Sequence, residues 1–311
     1  MSNRLSIADT IRAGYNSFFR LGSAVVEKPH VALLGVPFDS GTSYRPGARF
    51  GPYGVRKASM LLGQVDSYGK PVFEELQVVD GGNLACSPFE IRIAHEQIFQ
   101  QAEAYFSSGV KVFTVGGDHS VTLPLLRAAS KTYGPLNVIH FDAHSDTSSA
   151  ESWGSAVHHG TVFRNAIDAN YLRRGRFLQV GLRGPFGEPE PHKSTRDFGG
   201  EVYEIEQMEA AYGRLSRLVG DWGNEPVYVS VDIDVVDPAF APGTGTPVAG
   251  GLQPRELFKA LRLLAGLNII GFDVMEVAPD HDHGEITSLL AAHVLFEGLS
   301  ALAGSRRLLN R

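Results

Sequence analysis

Cysteine is almost absent, with Cys86 alone in 311 residues. An intrachain disulfide is therefore excluded, along with the disulfide-stapled secreted scaffolds, and a reducing compartment is the natural expectation. No motif surrounds Cys86 that would activate it, so an inert, half-buried thiol is expected. Positive charge is not in excess either: 28 Lys and Arg face 34 Asp and Glu, giving a net charge of −6 and a pI near 6.0. That balance argues against nucleic acid as a partner. No apolar stretch is expected to reach the length of a membrane span, and no signal-type apolar core opens the chain. The expectation is a soluble, cytoplasmic protein with no membrane partner. Linkers of low complexity, internal repeats and composition breaks are missing too.

What is present is ordinary enzyme material, 43% hydrophobic and 20% charged, enough for a sizeable core. Short apolar, β-branched runs predict strands at 31–36, 77–79, 112–115, 137–142, 177–182, 201–204, 227–232 and 269–275. Helical spacing alternates with them at 52–61, 90–105, 121–131, 207–219, 255–265 and 287–302. This alternation predicts an α/β fold: a three-layer α/β/α domain on a mostly parallel sheet of about eight strands. In such sheets ligands collect beyond the carboxyl ends of the strands.

Those ends carry unusual residues. Asp142-Ala-His144-Ser-Asp146 follows Leu136-Asn-Val-Ile-His-Phe141, and Asp232-Ile-Asp234 closes Val227-Tyr-Val-Ser-Val231. Gly116-Gly-Asp-His119 follows Val112-Phe-Thr-Val115. Alternate residues on a strand point the same way, so each motif gathers its acids on one side. Crowded carboxylates repel unless a cation lies among them. Alone, an Asp-x-Asp after a strand is usually a turn former or helix cap. Together the motifs supply six candidate metal ligands: His119, Asp142, His144, Asp146, Asp232 and Asp234. Four carboxylates and two imidazoles suit Mn²⁺, and two ions about 3.5–4 Å apart can activate one shared water. His140 is expected to face away from this site, in a supporting or core-packing role.

These segments resemble the signatures of the ureohydrolase family of arginases, agmatinases and related amidinohydrolases. Gly116-Gly-Asp-His119-Ser, Asp142-Ala-His-Ser-Asp146 and Ser230-Val-Asp-Ile-Asp234-Val-Val-Asp-Pro238 carry the likeness. The last runs on into Ala239-Phe-Ala-Pro-Gly-Thr-Gly-Thr-Pro247, which resembles the agmatinase branch. Gly35-Val-Pro-Phe-Asp39 and Arg45-Pro-Gly-Ala-Arg-Phe-Gly-Pro52 extend it towards the N-terminus. The resemblance implies a catalytic domain over 30–311, preceded by a segment, 1–29, at a subunit interface of a homo-trimer or homo-hexamer. It implies two Mn²⁺ ions, with Asp142 and Asp232 bridging, His119 and Asp146 completing one site, and His144 and Asp234 the other.

The implied reaction is hydrolysis of a small guanidino substrate to urea and an amine. Asp146 would relay a proton to the amine, Glu276 would orient the guanidinium, and His159 would shuttle protons or contact the substrate. His158 falls to the substrate rim. Agmatine is the first substrate expectation, because the stretch Thr147 to His158 lacks the arginase-like Asn beside the His-Gly. Glu151 would then meet a distal ammonium, whereas Trp153, capping a short pocket, would suit a small guanidine compound instead. Guanidinobutyrate, guanidinopropionate, a clavam-type substrate or a small guanidine are the alternatives, and a zinc amide deacetylase of related fold is a distant one. Arg20, in Tyr15-Asn-Ser-Phe-Phe-Arg20-Leu, would instead favour a carboxylate-bearing substrate. Asp280-His-Asp-His283 reads as a solvated loop and Pro242 to Pro247 as a pocket-shaping turn. Asn83 stands where many relatives carry a second Asp and is expected to matter only structurally.

Overall fold

The computed structural model describes residues 17–21, 26–185 and 190–309. Eight strands form one sheet: β1 (Val31–Gly35), β2 (Val78–Asn83), β3 (Lys111–Val115), β4 (Leu136–Phe141), β5 (Leu172–Leu182), β6 (Glu201–Glu204), β7 (Pro226–Asp232) and β8 (Asn268–Met275). Their order is β2-β1-β3-β8-β7-β4-β5-β6, and all seven pairings are parallel. The three-layer α/β/α expectation holds.

Side-chain alternation divides the core into two layers. Val31, Leu33, Phe113, Ile139 and Phe141 pack with the helices Gly51–Ser59, Pro254–Arg262 and Ile286–Leu309. Ala32, Leu34, Val112 and Val138 point the other way, to Ile91–Ser107, Thr122–Tyr133 and Val162–Asp168. Both faces are covered, so the strands read as continuous apolar runs.

The differences from expectation have physical causes. The helix expected over 207–219 breaks into Met208–Leu215 and Leu218–Trp222. The short helices Val72–Glu75, Ala150–Trp153 and Lys193–Asp197 are too brief to show a period. β5 begins five residues early, at Leu172, because a register shift against β4 lets an irregular pair extend the strand. Contrary to expectation, Ile286–Gly304 is long and apolar enough to cross a membrane by length and composition. Most of it (83% of its most apolar window) is buried inside this protein, as a core helix lying on the sheet.

Arg20 also departs from expectation. Phe18, Phe19 and Leu21 are buried in this chain's own core. Arg20 is buried beside them, its guanidinium donating to the carbonyls of Met60 and Leu62, so it is not directed at a substrate. Tyr15 and Asn16 lie outside the described residues. Asn83 accepts from Arg56, which also pairs with Asp80 at 3.0 Å, a contact that joins the Gly51–Ser59 helix to β2. Cys86 is half-buried, and burial pushes its thiol up in spite of the Arg49 charge.

Candidate metal centre and substrate cavity

β3, β4, β7 and β8 are neighbours or near neighbours in the sheet, so their carboxyl ends meet at one place. The loop after β3 passes so close to the chain after β1 that a Cβ on Gly117 would lie 1.5 Å from the Phe38 carbonyl oxygen, which only glycine permits. The next residue, Asp118, is fully buried and accepts from the backbone of Gly41 at 2.7 Å and of Ser120 at 2.9 Å. Burial first, and then the charge of Glu276, raise its carboxyl to about 7.

All six candidate ligands come together. His119 Nδ1 lies 3.1 Å from Asp142 Oδ2, 3.1 Å from Asp146 Oδ2 and 3.2 Å from Asp232 Oδ2. His144 Nδ1 lies 3.0 Å from Asp234 Oδ2 and 3.5 Å from Asp142 Oδ1. Asp142 thus offers one oxygen to each group. Asp232 meets the His119 group, while its Oδ1 accepts the backbone N–H of Asp234 at 2.9 Å. The second group consists of Asp142, His144 and Asp234. Capping and ligation are not alternatives here, since Asp142 and Asp232 each use one oxygen on the local backbone and aim the other at His119.

The electrostatics favour positive charge among these carboxylates. Burial and mutual repulsion raise Asp232 well above the carboxylate range, and Asp234 is raised by burial and by Asp142. Asp142 is held well below that range: burial opposes this, but the imidazoles of His140, His119 and His144 outweigh it. Burial would lower His119 and His144, yet the facing carboxylates hold both well above the usual histidine value. His119 Nδ1 and Asp234 Oδ2 are fully buried and have no partner outside the ligand set, each facing only other candidate ligand atoms. Buried polar atoms without partners are costly, and a divalent ion at each group would satisfy them. The residues fit a pair of ions.

Behind the ligands, Ser230 Oγ stands 2.8 Å from His119 Nε2 and donates to Asp273 at 2.6 Å. Tyr228 and Thr122 donate to the same Asp273 carboxylate. This arrangement leaves Nδ1 of His119 for a metal. His140 corrects the expectation that it faces away. Two residues before Asp142, it shares that residue's side of the strand, and its Nε2 lies 2.8 Å from Asp142 Oδ2.

Beside the ligands lies a second buried group. His159 Nδ1 is 2.9 Å from Glu276 Oε1, which also accepts the backbone N–H of His119 at 2.8 Å. Glu276 Oε2 is buried with no partner. Burial would lower His159, but the hydrogen bond and charge of Glu276 raise it to about 9. Its Nε2 meets Ser43 Oγ at 2.7 Å, and that hydroxyl can donate to a neutral ring or accept from a charged one. Glu276 (φ 64) and Asp146 (φ 49) adopt left-handed backbone that costs a non-glycine residue of order 1–3 kcal/mol. Strain of this kind collects at functional sites.

A cavity of about 1070 Å³ opens above the ligands. His144, Asp146 and Asp232 form its floor, with Ser43, His158, His159, Trp153, Thr246 and Pro247 as walls. His158 caps the turn that carries His159, accepting from Gly160 at 3.1 Å, and its ring lies 5.7 Å from Trp153. Trp153 is 60% exposed. Glu151 is exposed and does not line the cavity. Three cations do: Arg183 is committed to backbone carbonyls such as those of Asp234 and Val235, whereas Arg164 and Lys193 stand at the outer wall with Glu190. Thr246 and Pro247 place the 242–247 turn at the pocket, as expected. The 280–283 loop caps the last helix through Asp282 and forms no metal group among the described residues.

Ser43, Gln179 and Arg183 were not singled out from sequence. Gln179 left a signal, being one polar residue inside the apolar run Phe177-Leu-Gln-Val180.

The fold and site define a parallel α/β protein with paired His/Asp metal-binding groups at its strand ends. Residues 29–300 match the Arginase family, and the chain belongs to it. It is 43% identical to the proclavaminate amidinohydrolase of Streptomyces clavuligerus over 89% of each chain. The solved structure of that enzyme superposes with a TM-score of 0.88 at 41% identity, covering 94% of this chain and 98% of the other. The mitochondrial agmatinase of Gallus gallus is 40% identical, covering 88% of this chain and 81% of its own. The mitochondrial guanidino acid hydrolase of Homo sapiens is 39% identical, covering 87% and 78%.

Proposed function

We propose that this protein is a dinuclear manganese amidinohydrolase that converts a carboxylate-bearing guanidino compound to urea and an amine. The observation that carries the reaction is that two buried atoms, His119 Nδ1 and Asp234 Oδ2, one in each ligand group, face only other candidate ligand atoms. When bound, two such ions supply a water acidic enough to act as a nucleophile near neutral pH. The four carboxylates and two imidazoles favour Mn²⁺.

The chain's own residues do the rest. The free Oε2 of Glu276 accepts from the guanidinium and orients its plane, while Oε1 stays bound to His159 and to the His119 backbone. Ser43 and His159 hold a proton at the cavity edge, and Asp146 on the floor delivers one to the departing amine. His158 and Trp153 shape the rim.

The substrate's tail is read from the outer wall, and here the agmatine expectation gives way to its alternatives. Glu151, the proposed ammonium anchor, is off the cavity wall, whereas Arg164 and Lys193 are on it. Their pairs with Asp168 and Asp197 are exposed i,i+4 contacts, weak enough to exchange for a substrate carboxylate. Two of the similar relatives also bear names that denote acids, proclavaminate and guanidino acid. The agmatinase relative and Glu190 support agmatine as the second reading. Urea release from Mn²⁺-loaded protein, compared between guanidino acids and agmatine, tests this. A higher kcat/KM for an acid is expected, and a higher value for agmatine would reverse the assignment. A functional homo-trimer or homo-hexamer and a cytoplasmic location complete the proposal.

A further inference from the structure

His140 lies close enough to His119, Asp142 and Asp146 to be counted among possible ligands. Its hydrogen bonds argue for another task. Gln179 Nε2 donates to the Ser145 carbonyl at 2.7 Å, which fixes the amide so that Oε1 faces Thr195 Oγ1 at 2.5 Å. The same Nε2 approaches His140 Nδ1 at 2.9 Å, so Nδ1 accepts and carries no proton. The proton of the neutral ring then sits on Nε2 and is donated to Asp142 Oδ2 at 2.8 Å. No lone pair remains for a cation. Phe163, with its centroid 4.2 Å from that of the imidazole, helps to hold the ring, and Thr195, Gln179, His140 and Asp142 are all fully buried.

We propose that Thr195, Gln179 and His140 form a one-way hydrogen-bond chain that positions Asp142, fixing one of its oxygens toward each ligand group. This rests on the two-ion reading of the site. Oδ2, the oxygen that receives the imidazole proton, faces His119, while Oδ1 is left to the His144 side. The chain also reaches the cavity wall, because Thr195 shares the helix Lys193–Asp197 with Lys193 and Ser194, which line it. These three are positioning residues that act on the metals through Asp142.

The test uses the full chain and Mn²⁺ alone, with calorimetric titration and the electron paramagnetic resonance spectrum of the spin-coupled ion pair. Gln179→Glu keeps the size but puts an acceptor where Nε2 donated, so Nδ1 must take the proton. His140→Phe removes the donor. Each is expected to weaken binding of at least one ion about 10–100-fold and to alter the coupled spectrum. Thr195→Val should do so less, with Thr195→Ser restoring wild-type behaviour. Circular dichroism of the metal-free variants checks folding. Two ions bound by both Gln179→Glu and His140→Phe with wild-type affinity and spectrum would overturn the proposal. The metal readout does not pass through urea, so failure of the hydrolase assignment would appear separately, as absent wild-type turnover with normal metal binding.

Discussion

The floor of the cavity and its rim are built differently. At and beneath the floor, Asp142, Asp232 and Asp234 end or follow central strands, and His119, Asp142 and Asp234, below the cavity surface, are at most 1% exposed. On the rim, Trp153 is 60% exposed on a single helical turn, and Arg164, Lys193 and Glu190 sit on short helices or loops. Strand ends hold reacting groups rigidly, and loops vary what is admitted. On the proposed function, the floor sets the reaction and the rim sets the substrate. His159 and Glu276 are the seam between them.

Substitutions can break that division, the largest effect coming from the floor. Asp234→Ala removes a ligand and leaves His144 only its longer 3.5 Å contact with Asp142. It should weaken retention of the second ion by more than the 10–100-fold typical of outer partners and abolish urea release, as checked by metal analysis after dialysis. Glu276→Ala, at the seam, should keep both ions and lower kcat by about 10²-fold or more, the cost of a misplaced reacting group. Normal turnover would remove Glu276 from the site. Arg164→Glu, on the rim, should leave metal content unchanged and lower kcat/KM for a guanidino acid about tenfold, with agmatine unaffected or improved.

The smallest effect is on stability. The folded value of His159, about 9, lies above its ordinary 6.5. Its pairing with Glu276 therefore stabilises the fold fully below pH 6.5 and is lost as pH rises through about 9. The unfolding midpoint of the metal-free protein should fall across that window, and Glu276→Gln should flatten the fall.

Much of the floor was legible in the sequence, because strand alternation and acid-rich motifs act over a few residues. Asp142-Ala-His144-Ser-Asp146 announces itself in this way, and the eight strands follow from their apolar runs. The side that His140 takes is legible too, since a separation of two from Asp142 puts both on one side of the strand. Gln179 stands out only as a polar residue in an apolar strand and Thr195 not at all, since what makes them matter is a contact 39 residues from His140 and another 16 residues apart. Arg20 was misplaced for a similar reason, as its partners Met60 and Leu62 become neighbours only through the packed core. Glu151 and Trp153 stand on a turn whose orientation no period encodes.

The central claim is that the two ligand groups work together on a guanidino carbon. The most direct test is the initial rate of urea formation from a guanidino acid as Mn²⁺ is added to metal-free protein in stoichiometric steps. The rate should rise to a plateau at two ions per chain, with little activity at one. A full rate at one ion, or no urea from any guanidino compound with two ions bound, would contradict it.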